Sequence, residues 1–357
     1  MLFITNFEVL TIMKKILTYA AFVILFIITM VCLDRLLSEK SIHGINQARS
    51  FYEQPKDSID VLMLGSSHIH CDVNTALLWE NYGMATFDFS AAEQTMWQTY
   101  YYFKEALKTQ KPKVAVLDFY SVARYKDDYQ YDFLYENLQG LRPSLNKLKL
   151  FVTSCAIGRM DDYTPDFFTY HNRYEELTDE DFAALFGKED LASFKGYTPY
   201  CAVLPQDRPV LTETIADDLT PKSEKYLMKI IDLAKKNDVE LFFIVAPYIA
   251  DDKDMLTYNR ISQIADENGI EFMNMNFNYD DIGLDFETDF NDYSHLNYEG
   301  SCKFTEFFAA QLFERYSDRI EDHRGDERYS SWDESIKVTE EMMLDAKEKN
   351  LEKNKNK

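Results

Sequence analysis

The stretch Asp60–His68, with the sequence DVLMLGSSH, decides the fold of this chain. Its apolar run Val61–Leu64 predicts a buried strand, because short apolar runs bounded by turn residues are typical of strands inside a sheet. Gly65 then allows the backbone to turn sharply before the two serines, Ser66 and Ser67. In an open parallel sheet, ligands bind outside the carboxyl ends of the strands. The stretch therefore predicts a strand that ends in a serine-bearing turn at the functional edge of a sheet.

Apolar runs and amphipathic stretches alternate along the chain from this first strand onward. Strands are predicted at 59–64, 85–89, 113–119, 239–245 and 270–275. Helices are predicted at about 72–82, 93–109, 222–236, 253–267 and 298–316. Strands separated by helices of this length need crossover connections, and these place helices on both faces of a parallel sheet. The sequence therefore predicts a three-layer α/β/α fold, flavodoxin-like, with five parallel strands.

This α/β domain is predicted to occupy residues 59–316, with an insertion at about 125–220. The inserted residues are aromatic, acidic and loop-prone, and a stretch of roughly 100 residues is too long for a simple connection. We expect a mostly helical subdomain or lid over the carboxyl edge of the sheet. Residues 35–58 are predicted to be a linker or juxtamembrane helix, and residues 317–357 a charged C-terminal helix or tail.

The segment Ile16–Leu33 is almost wholly apolar and has about the length that a helix needs to cross a membrane. Residues 1–34 are therefore predicted to form a short cytoplasmic N-terminus and one transmembrane signal anchor, whose start is left open between Met1 and Met13. Lys14 and Lys15 precede the span, and the positive-inside rule then places the domain outside the cytoplasm. No small-residue cleavage site follows the apolar run, which favours an uncleaved anchor. The predicted location is the cell membrane, single-pass, with an extracytoplasmic domain.

The composition excludes some classes of function. A formal net charge of -23 argues against a nucleic-acid partner, because binding a phosphate backbone needs clustered Lys and Arg. A hydrophobic fraction of 46% is ample for a folded core. No motif indicates a cofactor.

The cysteines and histidines do not have the spacing of a metal site. Four cysteines outside the span are compatible with two disulfides or with isolated buried thiols. His68 and His70 are two residues apart on the helix that follows the first strand, so their side chains diverge, and no further ligand is evident. We therefore predict no metal site. The four cysteines are Cys71, Cys155, Cys201 and Cys302.

An acid and an imidazole lie near the other end of the domain, at Asp292 and His295, just before an amphipathic helix. A serine hydroxyl is a weak nucleophile until a base takes its proton, and an imidazole oriented by a carboxylate is a common base. Asp292 can reach His295 Nδ1 and leave Nε2 facing a serine. Each fragment also has a simpler interpretation, because a serine turn and an Asp-x-x-His sequence both serve as helix caps.

Four further side chains are candidates for contact with a substrate. His68 follows the serine turn and is interpreted either as a support behind the site or as a substrate-facing residue. Gln94 lies at the start of the second predicted helix. His171 and Arg173 lie in the insertion, where they are interpreted either as a site for a sugar or anionic polymer or as part of an aromatic cluster. Gln94 has the alternative role of a helix-start residue.

Two blocks of the sequence resemble the SGNH/GDSL hydrolase-like superfamily. Leu64–Ser67 (LGSS) resembles its first block, with Ser67 in the nucleophile position, and Asp292–Asn297 (DYSHLN) resembles its last block. The resemblance covers residues 59 to about 316 apart from the insertion. It implies a catalytic serine at Ser67, a base at His295 and an orienting acid at Asp292.

The chain departs from this family pattern at the oxyanion hole. The second block usually has a glycine and the third an asparagine, whereas here the matching segments are Asp88–Ala92 (DFSAA) and Asp118–Ser121 (DFYS). The resemblance leaves the backbone N–H groups of Ser67, Ser90 and Ala91 as oxyanion donors. Loss of one donor costs about 3 kcal/mol of transition-state stabilisation, so slow transfer is easier to accept than fast general esterase activity.

The signal anchor, the insertion and the Asp318–Trp332 segment narrow the resemblance to membrane-anchored proteins of Gram-positive bacteria. These are similar to cell-envelope polysaccharide O-acetyltransferases and to the teichoic acid D-alanyl transfer protein. The resemblance implies a serine esterase or acyltransferase that acts on acyl esters of a carbohydrate or envelope polymer, and a membrane-bound O-acyltransferase as a further partner. The alternative is a non-catalytic carbohydrate-binding or assembly factor with the same fold.

Overall fold

The computed structural model describes residues 6–37, 43–130, 132–156, 158, 171–186 and 191–355. Its sheet has five parallel strands in the order β2-β1-β3-β4-β5, with helices on its flanks, as predicted. This is the strand order of flavodoxin-like folds. The strands are β1 (Val61–Leu64), β2 (Thr86–Asp88), β3 (Val114–Asp118), β4 (Glu240–Val245) and β5 (Glu271–Asn274).

The helices that follow the strands have nearly the predicted bounds, apart from the first. The segment predicted at 72–82 contains α4 (Thr75–Tyr82), and a separate short helix, α3, precedes it at Ser67–Asp72. Asn74 begins α4 by accepting hydrogen bonds from the backbone of Ala76 and Leu77 at 3.1 and 3.2 Å. The described α-helices are α1 (Asn6–Leu37), α2 (Ile45–Phe51), α3 (Ser67–Asp72), α4 (Thr75–Tyr82), α5 (Met96–Ala106), α6 (Tyr120–Arg124), α7 (Leu134–Gln139), α8 (Leu145–Ser154), α9 (Asp179–Leu185), α10 (Pro221–Lys236), α11 (Asp252–Asn268), α12 (Tyr279–Ile282), α13 (Tyr298–Tyr316) and α14 (Ser330–Lys355).

The order of strands changes direction between β1 and β3. The connection from β1 leads to β2 on one side, and the connection from β3 leads to β4 on the other. The two connections therefore diverge at the carboxyl ends of β1 and β3. Leu64 of β1 pairs with Leu117 of β3, which puts Gly65 beside Asp118. A Cβ on Gly65 would lie 3.0 Å from Asp118 Cβ and 2.9 Å from Ile69 Cγ1, so only glycine fits here without a shift. The serine turn therefore lies in the crevice at which such sheets bind ligands.

The core on one face of the sheet is built from β-strand side chains and α13. All four residues of β1 are buried, as a strand covered on both faces requires. Phe304, Phe308 and Leu312 of α13 lie one helical turn apart and are fully buried against the sheet. Each such side chain contributes about 1.5–3 kcal/mol on burial. This contact fixes the helix that begins directly after the Asp292–His295 loop.

The segment predicted at 35–58 as a linker or juxtamembrane helix contains a helix in its second half. Residues 45–51 form α2, whose Ile45, Ala48 and Phe51 are buried in the α/β unit. The Phe51 ring stacks on Phe89, just after β2, with 4.2 Å between the ring centroids. Three apolar residues in seven are enough to bury one face of a short helix. Because the flanking residues are charged, the sequence did not indicate that this helix would pack in the core.

The segment after α13, beyond the predicted domain end at residue 316, belongs to the same compact unit as the sheet. His323 Nε2 lies 2.7 Å from Asp60 Oδ2, just before β1. Trp332 in α14 is 0% exposed and donates from Nε1 to the carbonyl oxygen of Thr86 in β2 at 3.1 Å. Within the predicted C-terminal helix or tail, residues 330–355 form a helix. In the first half of the segment, His323 and Trp332 contact the α/β unit instead of facing solvent.

The insertion predicted at 125–220 is divided between two compact units. Its parts at 125–158 and 191–220 belong to the α/β unit, where α8 contacts α5. Residues 171–186 belong with α1 to the other unit.

Within α1, the segment Thr11–Leu37 is long and apolar enough to cross a membrane, with a mean hydropathy of 2.7. All five cysteines are free thiols, which decides against the two disulfides.

Candidate active site

Ser67 is the first residue of α3, at the carboxyl end of β1 and half-buried. Ser66 precedes it as the residue that begins the helix, and its side chain is only 1% exposed. The Ser66 hydroxyl has no hydrogen-bond partner among the described residues, whereas Ser67 Oγ lies 2.8 Å from His295 Nε2. The geometry therefore selects Ser67 over Ser66 as the hydroxyl that a base can reach.

His295 lies in a tight loop between β5 and α13. A bridge between Phe290 and Leu296 closes the loop, and the N–H of Asn291 donates to the carbonyl of His295 at 2.9 Å. His295 Nδ1 lies 3.1 and 3.2 Å from the two carboxylate oxygens of Asp292. Ser67, His295 and Asp292 thus form one continuous hydrogen-bonded series.

The Asp292 carboxylate is held by several donors besides the imidazole. It accepts from the backbone N–H groups of Ser294 and His295 at 2.8 and 3.0 Å, from the Ser294 hydroxyl at 2.8 Å and from the Asn291 amide at 2.9 Å. Partial burial opposes its ionisation, but the hydrogen bonds from His295 and Ser294 and the charge on His295 hold its pKa well below the usual range. The carboxylate is therefore ionised and fixed in place at neutral pH.

A buried carboxyl group joins the helix of Ser67 to the loop of His295. Asp72, at the end of α3, accepts a hydrogen bond at Oδ1 from the backbone N–H of Leu296 at 2.9 Å. Burial raises the pKa of Asp72 well above its usual value. Because Leu296 directly follows His295, this bond helps to set the distance between Ser67 and the imidazole.

His68 lies behind the site rather than at its surface. It is 0% exposed, and its ring stacks on Tyr120 with 3.6 Å between centroids and lies 5.3 Å from the His295 ring. Burial, followed by the charge on His295, lowers its pKa well below the usual value, so the ring is neutral. Of the two roles predicted for His68, this position fits support of the site from behind better than contact with a substrate.

Gln94 is also buried and is not at the surface of the site. Its Nε2 donates to Thr99 Oγ1 at 3.1 Å, which ties the loop after β2 to α5. The alternative role as a helix-start residue fits this contact better than substrate binding.

The three predicted oxyanion donors differ in their availability. The N–H of Ala91 donates to the carbonyl of Gly65 over a long 3.5 Å. As the first residue of α3, Ser67 has no acceptor for its N–H within the helix. Among the described backbone groups, the N–H of Ser90 has no acceptor either. Ser67 and Ser90 are therefore the better candidates of the three.

Asp118 occupies the end of β3, at the block where the resembled family has its asparagine nearby. Its Oδ1 accepts from the N–H of Tyr120 at 3.1 Å and its Oδ2 accepts from the N–H of Ala246 at 3.0 Å. Burial raises the pKa of Asp118 to about 7, against the effect of these two hydrogen bonds. The carboxyl group joins the ends of β3 and β4 and supplies no donor of the kind that the asparagine would give.

His171 and Arg173 belong to the unit that contains α1. Arg173 pairs with Asp181 of α9 at 2.9 Å, and the side chain of His171 lies outside the described part of the chain. Their role in binding a substrate stays a prediction.

The sequence analysis missed a cluster of potential metal ligands beside the site. His43 Nδ1, His70 Nε2 and Cys71 Sγ lie within 4.8 Å of one another. Tyr200 was missed as well, and its ring lies 5.8 Å from the His43 ring and 5.4 Å from the His295 ring. His43 and Tyr200 lie far from the serine turn in the sequence, and no spacing pattern connects them to it.

A cavity of about 360 Å³ opens between the loop after β2 and the end of α6. Glu93, Arg124, Tyr125 and Gln130 are among the residues that line it. The Arg124 guanidinium lies 6.0 Å from the centroid of the Tyr120 ring, which in turn stacks on His68. The cavity therefore adjoins the aromatic side chains behind Ser67.

No protein-family model matches the chain, and no curated protein matches it.

Proposed function

We propose that the protein is a serine esterase or acyltransferase that works through an acyl-enzyme on Ser67. The observation that carries this proposal is the 2.8 Å contact between Ser67 Oγ and His295 Nε2. On the other side of the same imidazole, Nδ1 contacts the Asp292 carboxylate. A nucleophile and base within hydrogen-bond reach, with the base oriented by a third group, is the arrangement that nucleophilic catalysis requires. The resemblance of the two blocks to SGNH/GDSL hydrolases agrees with it.

In this proposal Ser67 Oγ attacks the carbonyl carbon of an acyl ester while His295 Nε2 takes the hydroxyl proton. The tetrahedral intermediate collapses, and His295 returns the proton to the departing alcohol oxygen. The acyl group remains on Ser67. A hydroxyl of the acceptor, or water, then attacks the acyl-enzyme, with His295 again taking and returning the proton. Asp292 holds the Nδ1–H of His295 and stabilises the imidazolium that forms.

The developing oxyanion would be bound by backbone N–H groups, with those of Ser67 and Ser90 as the best candidates. The carboxyl group of Asp118 cannot replace the side-chain donor of the family pattern. Since one missing donor costs about 3 kcal/mol, we propose slow transfer rather than rapid general ester cleavage.

The proposed acceptor is a carbohydrate or envelope polymer outside the cytoplasm, and the apolar helix would hold the enzyme in the membrane as a single-pass protein. This rests on the resemblance to membrane-anchored envelope enzymes, together with the apolar segment and the lysines before it. The polar cavity near Arg124 offers room for a sugar unit. A membrane-bound O-acyltransferase is the proposed partner that supplies the acyl group.

The proposal is tested with a fluorophosphonate probe, which phosphonylates a serine oxygen with loss of fluoride. The full-length protein in detergent should be labelled on the peptide that contains Ser67, because the base activates only that hydroxyl. Labelling is followed by mass spectrometry, with heat-denatured protein as the control. Absence of label on the folded protein, together with no cleavage of aryl acetates, would refute the acyl-enzyme.

We predict that Asp72 acts as a positioning residue for the base. In Asp72→Ala the N–H of Leu296 loses its acceptor and His295 shifts, so kcat should fall by about 100-fold with little change in KM. Asp72→Asn keeps an acceptor oxygen and should retain activity within about fivefold, since Asp72 is buried with a raised pKa. Steady-state kinetics on an aryl ester provides the comparison, and equal losses in the two variants would contradict the role.

A further inference from the structure

The cluster of His43, His70 and Cys71 brings three ligand atoms together from two separate parts of the chain. His43 precedes α2, whereas His70 and Cys71 lie on α3. We propose that His43 Nδ1, His70 Nε2 and Cys71 Sγ bind a zinc or copper(I) ion. This proposal is independent of the acyl chemistry proposed for Ser67.

The distances suit a metal ion. His43 Nδ1 and His70 Nε2 are 3.3 Å apart. Two nitrogens bound at about 2.0–2.1 Å to a tetrahedral zinc ion lie about 3.3–3.4 Å from each other. Cys71 Sγ lies within 4.8 Å of both nitrogens, so a side-chain movement of about 1 Å completes a three-ligand site.

The surroundings orient two of the ligands. His70 Nδ1 lies 2.9 Å from Ser90 Oγ, which directs Nε2 of the same ring toward His43. Metal-bound histidines usually have such an outer partner on the second ring nitrogen. The carbonyl of His43 accepts from the N–H of Ala92 at 2.9 Å. A Cβ on the next residue, Gly44, would lie 3.0 Å from Ala91 Cβ, so glycine permits this close approach.

The chemistry of the ligands selects the class of metal. A thiolate with two imidazoles prefers zinc or copper(I) to magnesium or calcium. Each imidazole can present one ring nitrogen to a metal, and His43 Nδ1 and His70 Nε2 already face each other. Cys71 loses its proton to solvent when the metal–sulfur bond forms.

The proposed metal site would lie next to Ser67. Ser67, His70 and Cys71 are spaced three and four residues apart on α3, which places their side chains on one face of the helix. The Tyr200 ring contacts both the His43 and His295 rings. A bound ion would therefore lie on the Tyr200 side of the base.

Cobalt(II) titration of the full-length protein, stripped of metal by a chelator, tests the proposal. One equivalent of cobalt should produce a thiolate-to-metal charge-transfer band in the near ultraviolet, and zinc should abolish it. Cys71→Ser should remove the band, and His43→Ala should weaken cobalt binding by more than 100-fold. Ser90→Ala, which removes only the outer partner, should weaken it by about 10- to 100-fold.

The matched control is Cys201→Ser, because Cys201 is a partly buried thiol outside the cluster and lies against Met343. This variant should bind cobalt as the wild type does. His43 is only half-buried, so His43→Ala gives a reading even if Cys71→Ser fails to fold. No charge-transfer band in the wild type, or a band that survives in both His43→Ala and Cys71→Ser, would overturn the metal site. Neither result depends on esterase activity, so the failure of one proposal leaves the other testable.

Discussion

Replacing Ser67 by alanine should lower kcat for ester cleavage by about 10⁴-fold or more, because the attacking oxygen is lost. Ser66→Ala should retain activity within about tenfold. The two serines are adjacent, yet only Ser67 Oγ reaches His295 Nε2, while the Ser66 hydroxyl is buried away from it. Burst-phase release of the alcohol from an aryl ester measures both variants. The pair of variants thus separates the loss of a nucleophile from a general disturbance of the turn.

The same variant separates catalysis from the alternative role as an assembly factor. A deletion strain that is complemented by Ser67→Ala as well as by the wild type would indicate a non-catalytic carbohydrate-binding or assembly factor. Failure of complementation, with normal amounts of folded protein, would agree with the acyl-enzyme. If Ser66→Ala lost as much activity as Ser67→Ala, the assignment of Ser67 would be wrong.

Replacing Trp332 by alanine should lower the free energy of unfolding of the α/β unit by about 3–5 kcal/mol, the usual range for a buried aromatic residue. Trp332 is fully buried, and its Nε1 hydrogen bond to Thr86 attaches α14 to the β2 edge of the sheet. The Lys195 ammonium also lies 3.6 Å from the centroid of the ring. Urea denaturation followed by tryptophan fluorescence and circular dichroism gives the measurement.

Lys337→Ala is the control in the same helix. The Lys337 side chain is exposed and pairs only with Glu341 at 3.6 Å, so the expected change is within about 0.5 kcal/mol. A loss below 1 kcal/mol in Trp332→Ala would mean that the C-terminal segment is a solvated tail after all.

The parallel sheet could be predicted from the sequence because each strand is a short, nearly continuous apolar run. β1 and β3 are buried on both faces, so every residue in them had to be apolar, apart from Asp118 at the end of β3. The contact between Ser67 and His295 could be predicted for a related reason. The carboxyl ends of parallel strands meet at one edge, and this brings a turn after β1 and a loop after β5 together.

The parts that could not be predicted depend on sparse contacts between distant segments. α14 is attached through scattered contacts, among them the buried Trp332 and the hydrogen bond from Trp79 Nε1 to Asp333 Oδ1 at 2.9 Å. The sequence around them is strongly charged and has the composition of a solvated tail. His43 gains its partners only because α2 folds back onto the loop after β2. His70 and Cys71 are adjacent in the sequence, but the third candidate ligand, His43, lies 27 residues before His70 and follows no recognisable spacing.

The loop from Phe290 to Leu296 contains both the base and its acid. Its bridge and every hydrogen bond between Asp292, Ser294 and His295 lie within seven consecutive residues. The backbone N–H groups of Leu204 and Ile249 donate to this loop at 2.9 and 3.0 Å and hold it against the rest of the α/β unit. The geometry of the imidazole–carboxylate pair is thus set locally along the chain, whereas its distance from Ser67 is set by the whole fold.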